Sequence, residues 1–282
     1  MSQHSAIAEP GERLKRGAIQ LLLGLNAFIM VYPLVIMVLS AFKTNAEIFT
    51  APFALPHSFA LTNALRVWNE TSFVRYLGNS VGITAAAIAL ILLFGTMAAY
   101  AIARYPFRLS GLVFMFFLSG LMVPLKLAVI PLFIQLDRLG LVDSRTGLVL
   151  IYAAMGMPSA VFVLTGFLRT LPRELEESAR IDGASEARIM ASVMLPLARP
   201  AMVIVAIQNA VPTWNDFFFP LVFISSDELK TLPQGLTVFV GEFNTDWGVL
   251  FCGLTMAALP ITLAYVVMSR QFIAGLTQGA LK

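Results

Sequence analysis

The sequence predicts an all-α membrane protein: six transmembrane helices with a polar loop between the fourth and the fifth. Two observations carry this expectation. The composition is 58% hydrophobic and only 12% charged, with a mean hydropathy of +0.82, whereas a soluble domain is about one quarter charged. The apolar residues also gather into long uncharged runs, and a helix needs about 20 such residues to cross a bilayer.

Residues 1–16 are polar and end in Arg13, Lys15 and Arg16. The first uncharged run is 17–42. A signal peptide has an apolar core of only about 7–15 residues, so an uncleaved first span is expected. Residues 43–75 read as a mixed loop with Pro52, Pro56 and Trp68. The second span is 76–103. It shows Gly78, Gly82 and Ala86, then Gly95, Ala99 and Ala103, at four-residue spacing. Small residues so spaced let helices approach closely in lipid; a subunit contact and the ordinary abundance of Gly and Ala in such helices are both open readings. Arg104 to Arg108 is a tight basic turn.

The third span is 109–125, closed by Pro124 and Lys126. The apolar stretch 127–139 is too short to cross and reads as interfacial. The fourth span is 146–168, followed by a charged loop, 169–199. The fifth span, 200–224, contains Gln208, Asn209, Pro212, Trp214, Asn215, Asp216 and Pro220. A break or kink is expected near Pro212, and irregular backbone at membrane depth is tolerated only beside protein or a wet cavity. Residues 225–247 form another loop, 248–269 the sixth span and 270–282 a short tail.

Six spans put both ends of the chain on one side. Segments 1–16, 104–108, 169–199 and 270–282 hold 3, 2, 5 and 2 basic residues, against 3, 3 and 1 in segments 43–75, 126–145 and 225–247. The excess of Lys and Arg assigns the first set to the cytoplasm.

The loop between spans four and five holds five of the chain's 16 acidic residues between Leu171 and Pro196. It reads as two short helices with a break. Pro172 suits a first helical position. Glu174, Glu176 and Glu177 complement the positive end of the helix dipole, and Arg180 the negative end. Asp182-Gly183 stops the first helix, Gly183 taking a left-handed conformation. Ser185 caps the second, and Pro196 is expected to end it. The first would carry Leu171, Leu175 and Ala179 on one side, the second Ile189, Val193 and Leu197. Helices this short need a surface to lie against, either this chain's own spans or another protein; a solvated helical hairpin is the plainer alternative.

The spacing of Glu177-Ser178-Ala179, Asp182-Gly183-Ala184 and Leu195-Pro196 resembles the EAA loop of ABC importer permeases, with Ser178 replacing the middle alanine. Further along, Trp214-Asn215-Asp216-Phe217, Pro220-Leu221, Thr231-Leu232-Pro233, Gly235-Leu236, Asp246-Trp247 and the tail Phe272 to Ala280 look like the C-terminal half of maltose-type carbohydrate permeases, specifically the second, six-helix subunit. The matching motifs run from about residue 104 to 282; the first 100 residues match only in hydropathy. The resemblance implies a multi-pass protein of the bacterial inner membrane that pairs with a companion permease. It further implies a coupling loop seated in a cleft of a cytosolic ATPase, two ATPase subunits docked beneath the permease pair, and an extracytoplasmic solute-binding protein that delivers a carbohydrate. ATP and Mg would then be bound by the ATPase, and no cofactor by this chain. The loop 225–247 matches the region that reaches toward the solute-binding protein, and Gly275 to Lys282 the tail that meets the ATPase pair.

Asp216 lies at or near membrane depth, where an ionisable residue is a functional candidate. With Asn209, Trp214 and Asn215 it offers hydrogen-bonding groups and an aromatic face to a sugar; stabilising a helix break at the outer interface is the other reading. Other functions are disfavoured by what is missing from the sequence. The one cysteine, Cys252, and two histidines, His4 and His57, assemble no metal cluster and no nucleophile–base set. There is no phosphate-binding loop, so ATP hydrolysis is not expected of this chain, and the scattered basic residues do not suggest nucleic acid. A secondary transporter would use charges at the midplane for coupling ions; only Asp216 qualifies, and the 171–196 hairpin would then have no role. An ABC permease for a non-sugar solute is a closer alternative.

Overall fold

A computed structural model describes residues 10–241 and 245–280, with side chains for 15–241 and 245–266. The side chains of the tail motif from Phe272, and the end of the segment Gly275 to Lys282, lie outside the described residues. The fold is helical, with one isolated bridge between Val240 and Thr245 among the described residues. The chain divides into two compact units, residues 1–70 with 238–256, and residues 71–237 with 257–282.

In the first unit, α1 (Pro10–Ser40) is a long apolar helix. Two short helices occupy the expected mixed loop: α2 (Asn45–Thr50) and α3 (Thr62–Glu70). Helix α2 starts at a capping box, with the Glu47 amide donating to the Thr44 hydroxyl and the Thr44 amide donating to the Glu47 carboxylate. Lys43 is buried, and its ammonium donates to the carbonyls of Ala51 (3.1 Å) and Pro52 (2.9 Å), closing the turn after α2. Asn45 bonds the Thr245 carbonyl and the Gly248 amide. Arg66 pairs with Asp246 at 2.5 Å. These polar contacts fasten the loop after α1 to the start of α13 (Trp247–Ala280).

The second unit is built on α4 (Phe73–Arg104), α7 (Arg145–Thr170) and α10 (Leu195–Asn215). Helices α4 and α7 run parallel. Gly95 allows their close approach, since a Cβ there would stand 2.9 Å from the Ala160 Cβ. Ala99 is buried in the same core with Leu164 and Leu168. Gly78 and Gly82, by contrast, face open space. The second set of small residues thus packs within the chain, and the first does not.

The third expected span, 109–125, differs. Helix α5 (Ser110–Gly120) covers about 16 Å at the usual rise per residue, too little to cross a bilayer. After a break it is followed by a 3₁₀ turn and α6 (Val129–Arg138), bent from it by 82°. Pro124 removes an amide donor at the break, and Gly120 sits against Pro158 in the middle of α7, where a Cβ would stand 2.7 Å from its ring. Among the described residues, five helices are long and apolar enough to cross a membrane, and six if the bent pair forms one span.

The fifth span is interrupted, but not at Pro212. Helix α10 passes through Pro212 and ends at Asn215; Asp216 and Phe217 form the break before α11 (Phe218–Phe223). The interruption falls where Asp216 offers its side chain to the next helix. Beyond it, residues 225–237, including α12 (Leu232–Gly235), fold back onto α4. Asn79 donates to the carbonyls of Glu228 and Lys230, the Tyr76 hydroxyl to Asp227, and the Leu232 amide to the Ser80 hydroxyl. Gly235 lies on the Tyr76 ring, where a side chain would overlap it.

Candidate functional site

The residues singled out in the sequence fall in two separate places on the α4–α7–α10 bundle. At the Arg104 end, α8 (Glu174–Ile181) and α9 (Glu186–Ile189) form the hairpin. Its turn is a Schellman motif: Ala184 N–H donates to the Ala179 carbonyl (3.0 Å) and Gly183 N–H to the Arg180 carbonyl (3.0 Å), with Gly183 at φ +79°. The Ser185 hydroxyl then accepts the Arg188 amide and caps α9.

The second helix is not ended by Pro196. A π turn at Met190–Met194 carries α9 into α10, the Leu195 amide bonding five residues back to Met190. The wider turn absorbs the donor that Pro196 lacks, and the helix runs on from Glu186 to Asn215. The hairpin is therefore an extension of the span itself.

Its two faces differ. Ala179, Ala184, Ile189 and Met194 pack on the core of α4, α7 and α10. Glu177, Ser178, Asp182, Gly183 and Pro196 are exposed, and Ala179, Ala184 and Leu195 half-buried. Ile181 is 86% exposed and Leu175 40%. Glu176 alone of the three acids turns inward.

There Glu176 meets Arg104, the last residue of α4, with Oε1 and Nε 2.9 Å apart and side chains 5% and 3% exposed. The two atoms meet as opposite charges at an angle unsuited to a hydrogen bond. Arg104 also donates to the Leu171 carbonyl (3.0 Å). Arg180 pairs with Glu186 at 2.6 Å, and Glu186 accepts the Tyr105 hydroxyl at 2.7 Å. Burial and the Glu186 carboxylate push the Tyr105 hydroxyl above its usual range. Removing one member of a buried ion pair costs about 3–5 kcal/mol, because the other charge is stranded. Sequence reasoning missed this clamp. Its trace was the single Arg at the end of an uncharged run and a second acid beside Glu177.

Beside the middle of α7, where α10 ends, lies a cavity of about 360 Å³ lined by Lys126, Tyr152, Asn209, Asn215, Asp216 and Phe219, among others. Asp216 Oδ2 accepts the Tyr152 hydroxyl (2.8 Å) and the Phe219 amide (3.1 Å) in the first turn of α11. Asn209 donates to the Val205 carbonyl (2.8 Å) and to Ser159 (3.3 Å), and Asn215 to the Val211 carbonyl. Lys126 Nζ lies 5.6 Å from the Phe218 ring centroid, in cation–π range. Asn209, Asn215 and Asp216 therefore share one chamber. Trp214 does not join them: it is buried, donates to the Ala257 carbonyl (3.1 Å), and borders a separate apolar groove with Val81, Pro260 and Tyr265. Lys126 and Tyr152 were missed, because a terminal Lys and a mid-span Tyr carry no motif.

A bundle of apolar helices around a polar chamber, with a charge-clamped hairpin at one end, is compatible with a membrane transport subunit. The comparisons narrow that class. Residues 91–272 match the family described as "Binding-protein-dependent transport system inner membrane component", and the chain belongs to it. It is 36% identical over 263 residues to the diacetylchitobiose uptake permease NgcG of Streptomyces coelicolor, covering 93% of this chain and 87% of that one. It is 35% identical over 260 residues to the arabinooligosaccharide permease AraQ of Halalkalibacterium halodurans, covering 91% and 92%. A subunit of a bacterial ABC transporter that imports alginate shares its fold, with a TM-score of 0.82 at 22% identity over 93% of this chain and 98% of that one.

Proposed function

We propose that this chain is a membrane-spanning permease subunit of an ATP-driven carbohydrate importer of the bacterial inner membrane. It lines the translocation path with a companion permease and receives movement from a cytosolic ATPase dimer through the 171–196 hairpin. An extracytoplasmic solute-binding protein delivers the sugar. The observation that carries this reading is the hairpin: Glu177, Ser178, Asp182 and Gly183 stand outward on a turn continuous with a membrane span. A partner that grips this face moves α10 directly. ATP hydrolysis belongs to the partner, which also binds ATP and Mg. The basic-residue bias supports a cytoplasmic place for the hairpin and, with the bent pair as one span, for both ends of the chain.

The chamber of Asn209, Asn215 and Asp216 is assigned to the sugar path. Amide and carboxylate groups match sugar hydroxyls, and charged side chains at membrane depth belong beside water or ligand. Carbohydrate as cargo is supported by the relatives, named for diacetylchitobiose and arabinooligosaccharide transport. The test is co-purification from membranes with the ATPase. Glu177→Gln with Asp182→Asn is expected to lose the ATPase while the permease stays in the membrane. Retention of the ATPase by that variant would remove the hairpin from the coupling role. Uptake of a panel of sugars by the whole assembly identifies the cargo, and substitution at Asn209 is expected to raise the half-saturating concentration.

A further inference from the structure

We infer that the buried Arg104–Glu176 pair is a positioning link that makes α4 travel with the hairpin, so that movement at one loop reaches three spans instead of two. The inference rests on the coupling role proposed for the hairpin.

The backbone joins the hairpin to two spans only. Helix α7 leads into α8 through residues 171–173, and α9 passes into α10 through the π turn. Helix α4 has no such connection. It holds the hairpin by side chains from its last residue and the next: Arg104 to Glu176 and to the Leu171 carbonyl, and Tyr105 to Glu186. Arg180 lies 2.6 Å from Glu186 and 3.8 Å from Glu176. The contacts therefore form a closed ring, Arg104–Glu176–Arg180–Glu186–Tyr105, that grips both hairpin helices.

Two features go beyond what anchoring requires. A buried ion pair is an expensive fastener where apolar residues of similar size would hold as well or better, and apolar packing is already present beside it through Ala179, Ala184 and Ile189. The pair is also incompletely satisfied. Arg104 Nε and Glu176 Oε1 lack an aligned hydrogen bond, and so do the buried hydroxyls of Thr96, Tyr100 and Thr165. Thr96, Tyr100 and Arg104 recur every four residues, on one face of α4. Tyr100 is within electrostatic reach of Glu176. Glu176 thus has a second neighbour on α4 besides Arg104, and both tie it to that helix.

The test uses the whole assembly in lipid nanodiscs, with spin labels introduced through Ile181→Cys on α8 and Met97→Cys on α4, both on exposed positions. The inter-label distance is measured before and after adding ATP and vanadate. With the native pair the distance is expected to hold within about 2 Å; in Arg104→Gln/Glu176→Gln, which removes both charges and strands neither, it is expected to change by about 3 Å or more. A distance that holds equally in the variant overturns the inference, and so does one that changes with the native pair intact. Loss of the ATPase from the variant assembly would make the pair a folding element and also overturn it. Failure of the parent reading looks different: Glu177→Gln/Asp182→Asn would then keep its ATPase, whatever the labels report.

Discussion

Replacing Gly183 tests the coupling role proposed for the hairpin through its backbone alone. Gly183 has φ +79° and an added Cβ would meet nothing within 4 Å, so substitution acts through conformation and not through a clash inside this chain. A residue with a Cβ pays about 1–2 kcal/mol in the left-handed region, which is a factor of about 5–30 in the population of the turn. Asn tolerates this region best after Gly, Ala carries the plain penalty, and β-branched Val exceeds it. The expected order of uptake is therefore Gly, Asn, Ala, Val, with Gly183→Val reduced about tenfold or more while its level in the membrane is unchanged. The assay is sugar uptake in cells normalised to permease quantified by immunoblot, with ATP hydrolysis measured on purified assemblies. Normal uptake by Gly183→Val would refute the reasoning. Equal damage from Asn and Val would refute it differently, showing that the absence of a side chain, not φ, is what matters.

Three other perturbations follow from local contacts. Gly156→Leu would drive a side chain into Ile91 and into Asn209 Oδ1, 2.7 Å from the added Cβ; overpacking costs about 1–3 kcal/mol, read as a lower melting temperature in detergent together with weaker sugar binding. Lys43→Met removes the charged donor from the Ala51 and Pro52 carbonyls; a hydrogen bond to a charged group contributes about 1.5–3 kcal/mol, and its loss is expected as faster proteolysis within residues 44–56. Asp143 accepts the Ser225 and Ser226 amides and the Ser226 hydroxyl, contacts that hold its carboxyl below the usual range. A lowered folded value means that the stabilisation is present above the unfolded pKa and is lost as pH falls through the folded one. The protection of the Ser225 and Ser226 amides, as exchange relative to the unfolded rate at the same pH, should therefore be level near neutrality and fall below about pH 4, and Asp143→Asn should remove that acid limb.

The first, second, fourth and sixth spans were legible because each is a long uncharged run, and the hairpin because Gly183, Ser185 and the clustered acids are local signals with local causes. What escaped was set by contacts between distant residues. The bend after Gly120 depends on Pro158, in another helix. The break at Asp216 instead of Pro212 depends on Tyr152 and on the Phe219 amide, which take up the carboxylate there. Trp214 sits beside Asn215 in sequence, yet a helix turns successive residues by about 100°, so one faces the apolar groove and the other the chamber. Glu176 and Glu177 divide in the same way. Adjacent acids look alike in a sequence; only the position of Arg104 distinguishes them.

The π turn at 190–194 also fixes a phase. One residue more or less in a helix rotates everything beyond it by about 100°. Deleting any residue there would aim Ser185 and Glu186 a quarter-turn or more away from where they now point, with every membrane residue of α10 left in place. An insertion or deletion at this spot would therefore re-aim the hairpin while leaving the chamber as it is.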